Sequence, residues 1–386
     1  MKVYHRSLLP LSLPFYGEWS VSQGHNGNYT HKEDWRFAWD FVITDHEGQQ
    51  YKNKGDNPAD YFCYEKSVLS PGTGIVEEVN DDIPDNDIGN VNTINNWGNS
   101  IVIKHADHLY SCLSHLKAGS ISVKPGDKVM QGQSIAQVGN SGRSPYPHLH
   151  MQFQSNPFVG SQTIYYPLSY FILNTGKNYF FKSFEIPEKD NHISNVNLNS
   201  LLQNAFNFIP GQKLNMVYTS NGIKKTESWT VNTNAYNLSY LYSETTNSFA
   251  YFTNDRYLFN FNHFEGDKNS LLFYFYQGFY QVLQGNYKDI SISDELPQNI
   301  SFKGPLMIIQ DFIAPFWLFL KSKYTLNYPD SDNLINESEI NLNSKVTKTV
   351  MGLKLNEIVS ELVINKIGIK TFVFKNGENE IIASIE

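Results

Sequence analysis

Cysteine is nearly absent: Cys63 and Cys112 are the only two in 386 residues. A disulfide scaffold is thereby excluded, and two free, buried thiols are expected. Basic charge is also short, with 30 Lys and Arg against 38 Asp and Glu and a net charge of -8. That balance excludes a protein held to nucleic acid by a basic surface. No repeat of solenoid period and no low-complexity block occurs. Long apolar runs are missing too. The strongest, "PLMIIQDFIAPFWLFLK" from Pro305 to Lys321, is broken by Asp311 and Pro315 and falls short of a spanning length. It is expected to be a buried helix, with an interfacial helix as the second reading. The apolar patch Leu8 to Phe15 is interrupted by Pro10 and Pro14 and lacks a small-x-small cleavage site, so it makes a weak signal peptide.

Aromatics, by contrast, are plentiful, with 24 Tyr and 26 Phe. They suit strands, where rings pack across the pleat. Up to about Phe171 the chain alternates short β-type runs with Gly and Pro turns. "SVLSPGTGIVEEV" reads strand, turn, strand; "NSIVIKHA" and "LYSCLSHL" form the next pair; "HLHMQF" is the last. The polar stretch from Asn80 to Asn96 is expected to be a surface loop over one end of the sheet. Residues 174–197 read as a linker or domain edge. Beyond it, "LLFYFYQGFYQV" alternates Phe and Tyr like a two-faced strand. Helical patterning is confined to Leu201–Phe208, the Pro305 segment and Leu353–Lys366. The fold class is therefore mainly β, with a domain over residues 1–173 and a β-rich domain with a few helices over 198–386.

Histidine is unevenly spread. Nine of 11 lie before Met151, so acid–base or metal chemistry is sought in the first domain. His148 and His150 are two apart on a strand and point to one face, with Leu149 turned the other way. Taken alone, the pair also fits two surface histidines. Asp40 sits in the apolar run "RFAWDF", where an unpaired carboxylate is costly; it needs a metal, a histidine such as His31, or Arg36. His115 ends the strand "LYSCLSHL", and alternation puts it on the face of Leu113. A satisfied core histidine would fit there equally well.

In their order along the chain, "GHNGNYTHKEDWRFAWDF", "VLSPGTGIVEEV", "GNSIVIKH", "LSHL" and "VKPGDKVMQGQSIAQVGNSGRSPYPHLHMQF" resemble the lysostaphin/LytM-type zinc endopeptidases. The resemblance covers roughly Gly24 to Gln154. It implies a duplicated-hybrid-motif β-sandwich and hydrolysis of the peptide cross-links of bacterial peptidoglycan. It also implies one Zn2+, held by His31, Asp40 and His150, with His115 and His148 as the catalytic histidines. His25 competes with His31 for the first ligand position, and His31 is favoured. A further histidine, His105, is a candidate to support the site. Stem peptides or cross-bridges would be the partners and the cell envelope the location. Similar domains occur fused to membrane transporters, which would give a membrane-associated setting. Two other readings compete. One is a zinc-bound but inactive cell-wall binding module. The other is a biotinyl or lipoyl carrier, which needs a lysine at a hairpin tip, whereas Lys104 falls mid-strand.

Overall fold

The turn-punctuated first part folds into short strands joined by Gly, Pro and Asp turns. The computed structural model describes residues 9–220, 222–328 and 338–385. They divide into two units, one running to Lys177 with Phe181–Val196, the other taking Asn178–Phe180 and the chain from Asn197 onward.

The first unit contains β1 (Glu18–Gln23), β2 (Ala38–Val42), β3 (Ser67–Leu69), β4 (Gly74–Asn80), β5 (Asn99–Ala106) and β6 (Leu109–Leu116). It continues with β7 (Lys128–Val129), β8 (Ser134–Gln137), β9 (Leu149–Gln154), β10 (Leu168–Asn174), most of β11 (Tyr179–Glu185), whose first two residues belong to the other unit, and β12 (His192–Ser194). An antiparallel sheet runs in the order β10-β12-β1-β2-β9-β6-β5-β4-β7. A second sheet pairs β3 with β8. Alternation assigns the faces: Trp39 and Phe41 of β2 and Leu149, Met151 and Phe153 of β9 enter one core. Leu11, Leu13 and Phe15 enter it too, so the N-terminal apolar patch is core from Leu11 onward, while Leu9 and Pro10 are exposed and Leu8 lies outside the described residues.

The stretch 174–197 is not a bare linker. It carries β11 and β12, and β12 pairs with both β1 and β10. Its polar residues mark exposed positions and turns, while Ile193 is fully buried. Both cysteines are free and buried, as expected, and burial pushes the Cys63 thiol up to about 12. No helix among the described residues is long and apolar enough to cross a membrane.

His105 faces away from the histidine cluster. One ring nitrogen donates to the Thr73 carbonyl (3.1 Å) and the other meets the Ser111 hydroxyl (2.8 Å), so its expected support of the site is not made. Burial lowers its pKa to about 4. The unfolded chain takes up this proton near pH 6.5 and the folded chain only near 4. Stability is therefore lost as pH falls through that window, by about 1–3 kcal/mol. A His105→Gln variant should flatten this part of a urea-denaturation pH profile; an unchanged slope would contradict the assignment.

In the second unit, two antiparallel runs meet where Lys213–Ser220 pairs with Asn379–Ile385. One helix is where it was expected, at Ser200–Phe206. The alternating aromatic run is instead the helix Leu271–Gly278, capped by the Ser270 hydroxyl accepting from the Phe273 N–H at 3.1 Å. Its surroundings explain the difference. Phe275 packs against Trp229 and Phe372, Tyr274 stacks on Phe374 at 4.3 Å, and Tyr276 is fully buried. Leu353–Lys366, expected to be helical, forms the strand Leu353–Asn365. Ladders on both sides and β-branched Ile358, Val359, Val363 and Ile364 override the helical spacing. Pro305–Ile313 is a helix as expected, but Gln310 is its one buried residue.

Candidate metal and active site

Antiparallel register puts Asp40 of β2 directly opposite His150 of β9, and His150 opposite Ser114 of β6. Because the neighbours of Asp40 and His150 fill the core, these two side chains rise from the other face. His31 lies nine residues before Asp40, just ahead of the single turn Glu33–Trp35. That turn folds His31 back until its Nε2 is 3.2 Å from Asp40 Oδ1. His150 Nδ1 approaches the same oxygen to 2.9 Å, and His148 Nε2 to 3.6 Å. Candidate ligand atoms of His31, Asp40 and His150 all lie within 4.8 Å of one another. His25 does not join them. Its ring packs on Trp39 at 4.2 Å, with Phe37 and Tyr165 beside it, and burial followed by His31 lowers its pKa to about 4. Arg36 lies over the Phe37 ring at 5.2 Å and does not pair with Asp40.

His115 reaches the site by a route that strict alternation does not describe. Leu113 enters the core, and a register shift between Asn99 and Ile101 opens the β5–β6 ladder opposite the end of β6. His115 occupies the left-handed region there, with φ of 62°. The bulge rotates it out of the core direction and towards His148, whose ring centroid is 4.8 Å away. Such a backbone costs about 1–3 kcal/mol for a non-glycine residue and persists where the surroundings over-determine it. Here the Trp97 carbonyl accepts the His115 N–H, the Gly139 N–H donates to the His115 carbonyl, and His115 Nδ1 donates to the Ser141 carbonyl at 2.8 Å.

The turn before β9 is held equally firmly. Gly142 has φ of 80°, and a Cβ there would come within 2.3 Å of the Gly98 nitrogen. The loop after β4 closes on this turn, with the Asn86 amide donating to the carbonyls of Gly142 and Ser144. That loop therefore sits beside the site, and with Trp97 it walls a groove of about 880 Å³. Tyr29, Trp35, Val91, Arg143 and Tyr146 line the rest.

Hydrogen bonds on the far side of each ring decide what the histidines offer to the centre. His31 Nδ1 donates to the Gly24 carbonyl at 3.0 Å. His148 Nδ1 donates to the Tyr146 carbonyl at 2.9 Å. His150 Nε2 donates to Gln152 Oε1 at 3.1 Å. The Gln152 amide is fixed by its own donation to Gln154 Oε1 and the Ser161 carbonyl, and Gln154 by donation to the carbonyls of Asn156 and Phe158. In their neutral forms the four imidazoles thus turn lone pairs inward. A carboxylate oxygen faces them, while its other oxygen accepts from the Gln23 amide at 2.8 Å. In that state the centre presents acceptors with no donor between them, a set that a bound cation or a proton shared with Asp40 would satisfy.

Electrostatics agree with the geometry. Burial opposes ionisation of Asp40, yet His148, His31 and the hydrogen bond from His150 hold its pKa well below the usual carboxylate range. Burial also opposes a charge on His31, but the Asp40 carboxylate outweighs it and raises that pKa. For His150 burial prevails over the same carboxylate, and its pKa is lowered. His115 is held well below the ordinary value by burial, then by His148 and His150.

Sequence reasoning missed Gln23, Gln152 and Trp97, whose ring lies 5.3 Å from His150. Gln152 and Gln154 were within reach, since the alternation that pairs His148 with His150 continues through "HLHMQFQ". Lys104 is mid-strand, opposite Tyr110 and paired with Asp107 at 2.9 Å, so no hairpin-tip carrier lysine stands there.

The first unit is thus an antiparallel β unit whose groove holds two buried histidines and a carboxylate that could hold a metal ion, with His115 and His148 beside them. Residues 56–163 match the model of peptidase family M23. His31 and Asp40 precede the matched segment. An 89-residue stretch is 33% identical to the peptidoglycan DD-endopeptidase ShyC of Vibrio cholerae, covering 23% of this chain and 17% of that protein. The match thus spans about a sixth of the relative's length. Among solved structures, the lysostaphin catalytic domain from Staphylococcus simulans is similar at 21% identity and a TM-score of 0.24, covering 39% of this chain and 87% of that one. A zinc-containing peptidase from Vibrio cholerae is similar at 23% identity and a TM-score of 0.23, covering 38% and 37%.

Proposed function

We propose that this chain is a zinc endopeptidase that hydrolyses peptide cross-links of bacterial peptidoglycan in the cell envelope. The observation that carries the reading is the ring of inward lone pairs around Asp40 Oδ1, each fixed by a hydrogen bond on its far side. Two neutral histidines and one carboxylate suit a catalytic zinc that keeps an open position. His31, Asp40 and His150 would hold the ion. Bound there, zinc would supply a Lewis acid that polarises a carbonyl and lowers the pKa of water.

The remaining work falls to this chain's own groups. Gln23 and Gln152 keep Asp40 and His150 in position, as partners of ligating side chains do. His115, neutral and with its free nitrogen towards His148, accepts the proton of the attacking water. His148, anchored by Tyr146 and less buried than the ligands, steadies the developing oxyanion or returns a proton to the leaving amine. The groove, walled by Trp35, Trp97 and Tyr146, would receive an extended peptide. The substrate itself is inferred from the family and from the named activity of the Vibrio cholerae relative.

The test is zinc content together with turnover of purified peptidoglycan. One equivalent of zinc and soluble muropeptide release are expected, both lost in His150→Ala. If His150→Ala keeps metal and hydrolysis, the proposed site is wrong. If the wild type binds one equivalent yet cuts nothing, an inactive binding module is the better description.

A further inference from the structure

The segment Pro305–Lys321 has the composition of a core, and the fold leaves most of it outside. On its inner side, Met307 and Ile313, together with Val350, pack against the cluster of Phe302, Phe319 and Leu320. Gln310 is fully buried and clasps the returning chain. Its Oε1 accepts the N–H groups of Phe319 and Leu320 at 2.9 Å each, and its Nε2 donates to the Trp317 carbonyl at 3.1 Å. Helix and return therefore form one fixed projection. On the outer side, Ile308 is 73%, Phe312 86% and Phe316 91% exposed, with Trp317 and Leu318 about half exposed. Between Lys303 and Lys321 the only charged residue is Asp311. A contiguous apolar surface of this kind marks a binding surface.

The charges at its base indicate the partner. Lys303 lies next to Gly304, the N-cap of the helix. Lys268 donates to the carbonyl of Asn299, in the short helix Gln298–Ser301 just ahead of it. Lys348 lies two residues before Val350 on Glu339–Val350 and so shares its face, the face on which the projection is seated. The three ammonium groups are close enough to act on one another. Beyond the effect of burial, Lys303 lowers the pKa of Lys268, and both lower that of Lys348. Among the described residues none of the three makes an ion pair.

We propose that this projection docks the chain on an anionic lipid surface, with Phe312, Phe316 and Trp317 entering the interface and Lys268, Lys303 and Lys348 facing headgroup phosphates. Aromatic and aliphatic side chains bury in the headgroup–acyl boundary, and lysines beside them add attraction to anionic lipid. The helix is too short to span, so the attachment is peripheral. It does not depend on the peptidase reading.

The test is co-sedimentation of the full chain with phosphatidylcholine vesicles, with and without phosphatidylglycerol. Binding to the anionic vesicles, weakened by salt, is expected. Phe312→Ser/Phe316→Ser should reduce it at least about tenfold, and Lys303→Gln/Lys348→Gln about tenfold on anionic vesicles only. Both variants change exposed or half-exposed side chains and should keep the wild-type melting temperature. Failure to sediment with anionic vesicles overturns the proposal, as does undiminished binding by the Phe variant. A solution dimer that dissociates in the Phe variant, and that vesicles do not compete with, would assign the surface to a second copy and overturn it too.

Discussion

Replacing Asp40 by Asn should abolish hydrolysis, at least about a thousandfold, and remove zinc with it. The substitution keeps size and shape, so packing changes little. It converts the shared carboxylate into a neutral amide at the point where His31 and His150 converge at 3.2 and 2.9 Å. It also replaces one acceptor oxygen by an NH2 group. In one orientation that group faces the imidazole lone pairs; in the other it faces the Gln23 amide, which now donates to Oδ2. Either way the acceptor set is broken. Zinc retention measured by competition with a chromophoric chelator checks this alongside turnover. Full zinc binding by Asp40→Asn would remove Asp40 from the ligand set. Its fold should survive, because Asn keeps the size and shape of Asp40 and leaves the core packing of Trp39 and Phe41 intact.

The second large effect separates chemistry from metal binding. His115→Ala should retain one equivalent of zinc while hydrolysis falls by about 10²–10⁴, the usual worth of a positioned general base. The basis is structural. His115 comes from the bulged end of β6, is anchored by Ser141 rather than by Asp40, and stands 4.8 Å from the His148 ring. A His115→Ala protein that loses zinc would make His115 a ligand, and one that keeps full activity would leave it without a role. Because His115 is buried, a melting curve of the variant distinguishes lost chemistry from lost structure. The left-handed backbone at this position predicts little loss of stability in His115→Gly.

Much of the first unit is legible in its residues alone. Strands β5 and β6 begin and end where "NSIVIKHA" and "LYSCLSHL" do, because each is a β-branched or apolar run closed by a turn. Asp40 and the His148–His150 pair stand out because polar groups in apolar strands demand partners. What brings them together is register, and no single strand encodes its neighbour. His31 is legible as a loop histidine but not as a neighbour of Asp40, since the Glu33–Trp35 turn that folds it back leaves only a weak local signal. The direction of His115 is not legible: alternation sends it into the core with Leu113, and the bulge that reverses it depends on Asn99 across the ladder. In the second unit local pattern and tertiary context conflict more often. Leu271–Gly278 is a helix because aromatic walls surround it, and Leu353–Asn365 a strand because two partners flank it. The Pro305 segment keeps its helix but not its burial. Hydrophobicity reports that a surface will be covered, and among the described residues nothing covers the outer side of this one.

X-ray absorption at the zinc edge of the loaded full chain tests the central claim most directly. Four inward-facing imidazoles surround the centre, and only two of them are assigned to the metal. The predicted shell holds nitrogen and oxygen alone at about 2.0–2.2 Å, with multiple scattering from two imidazoles. A sulfur shell at about 2.3 Å, or scattering from four imidazoles, would contradict it.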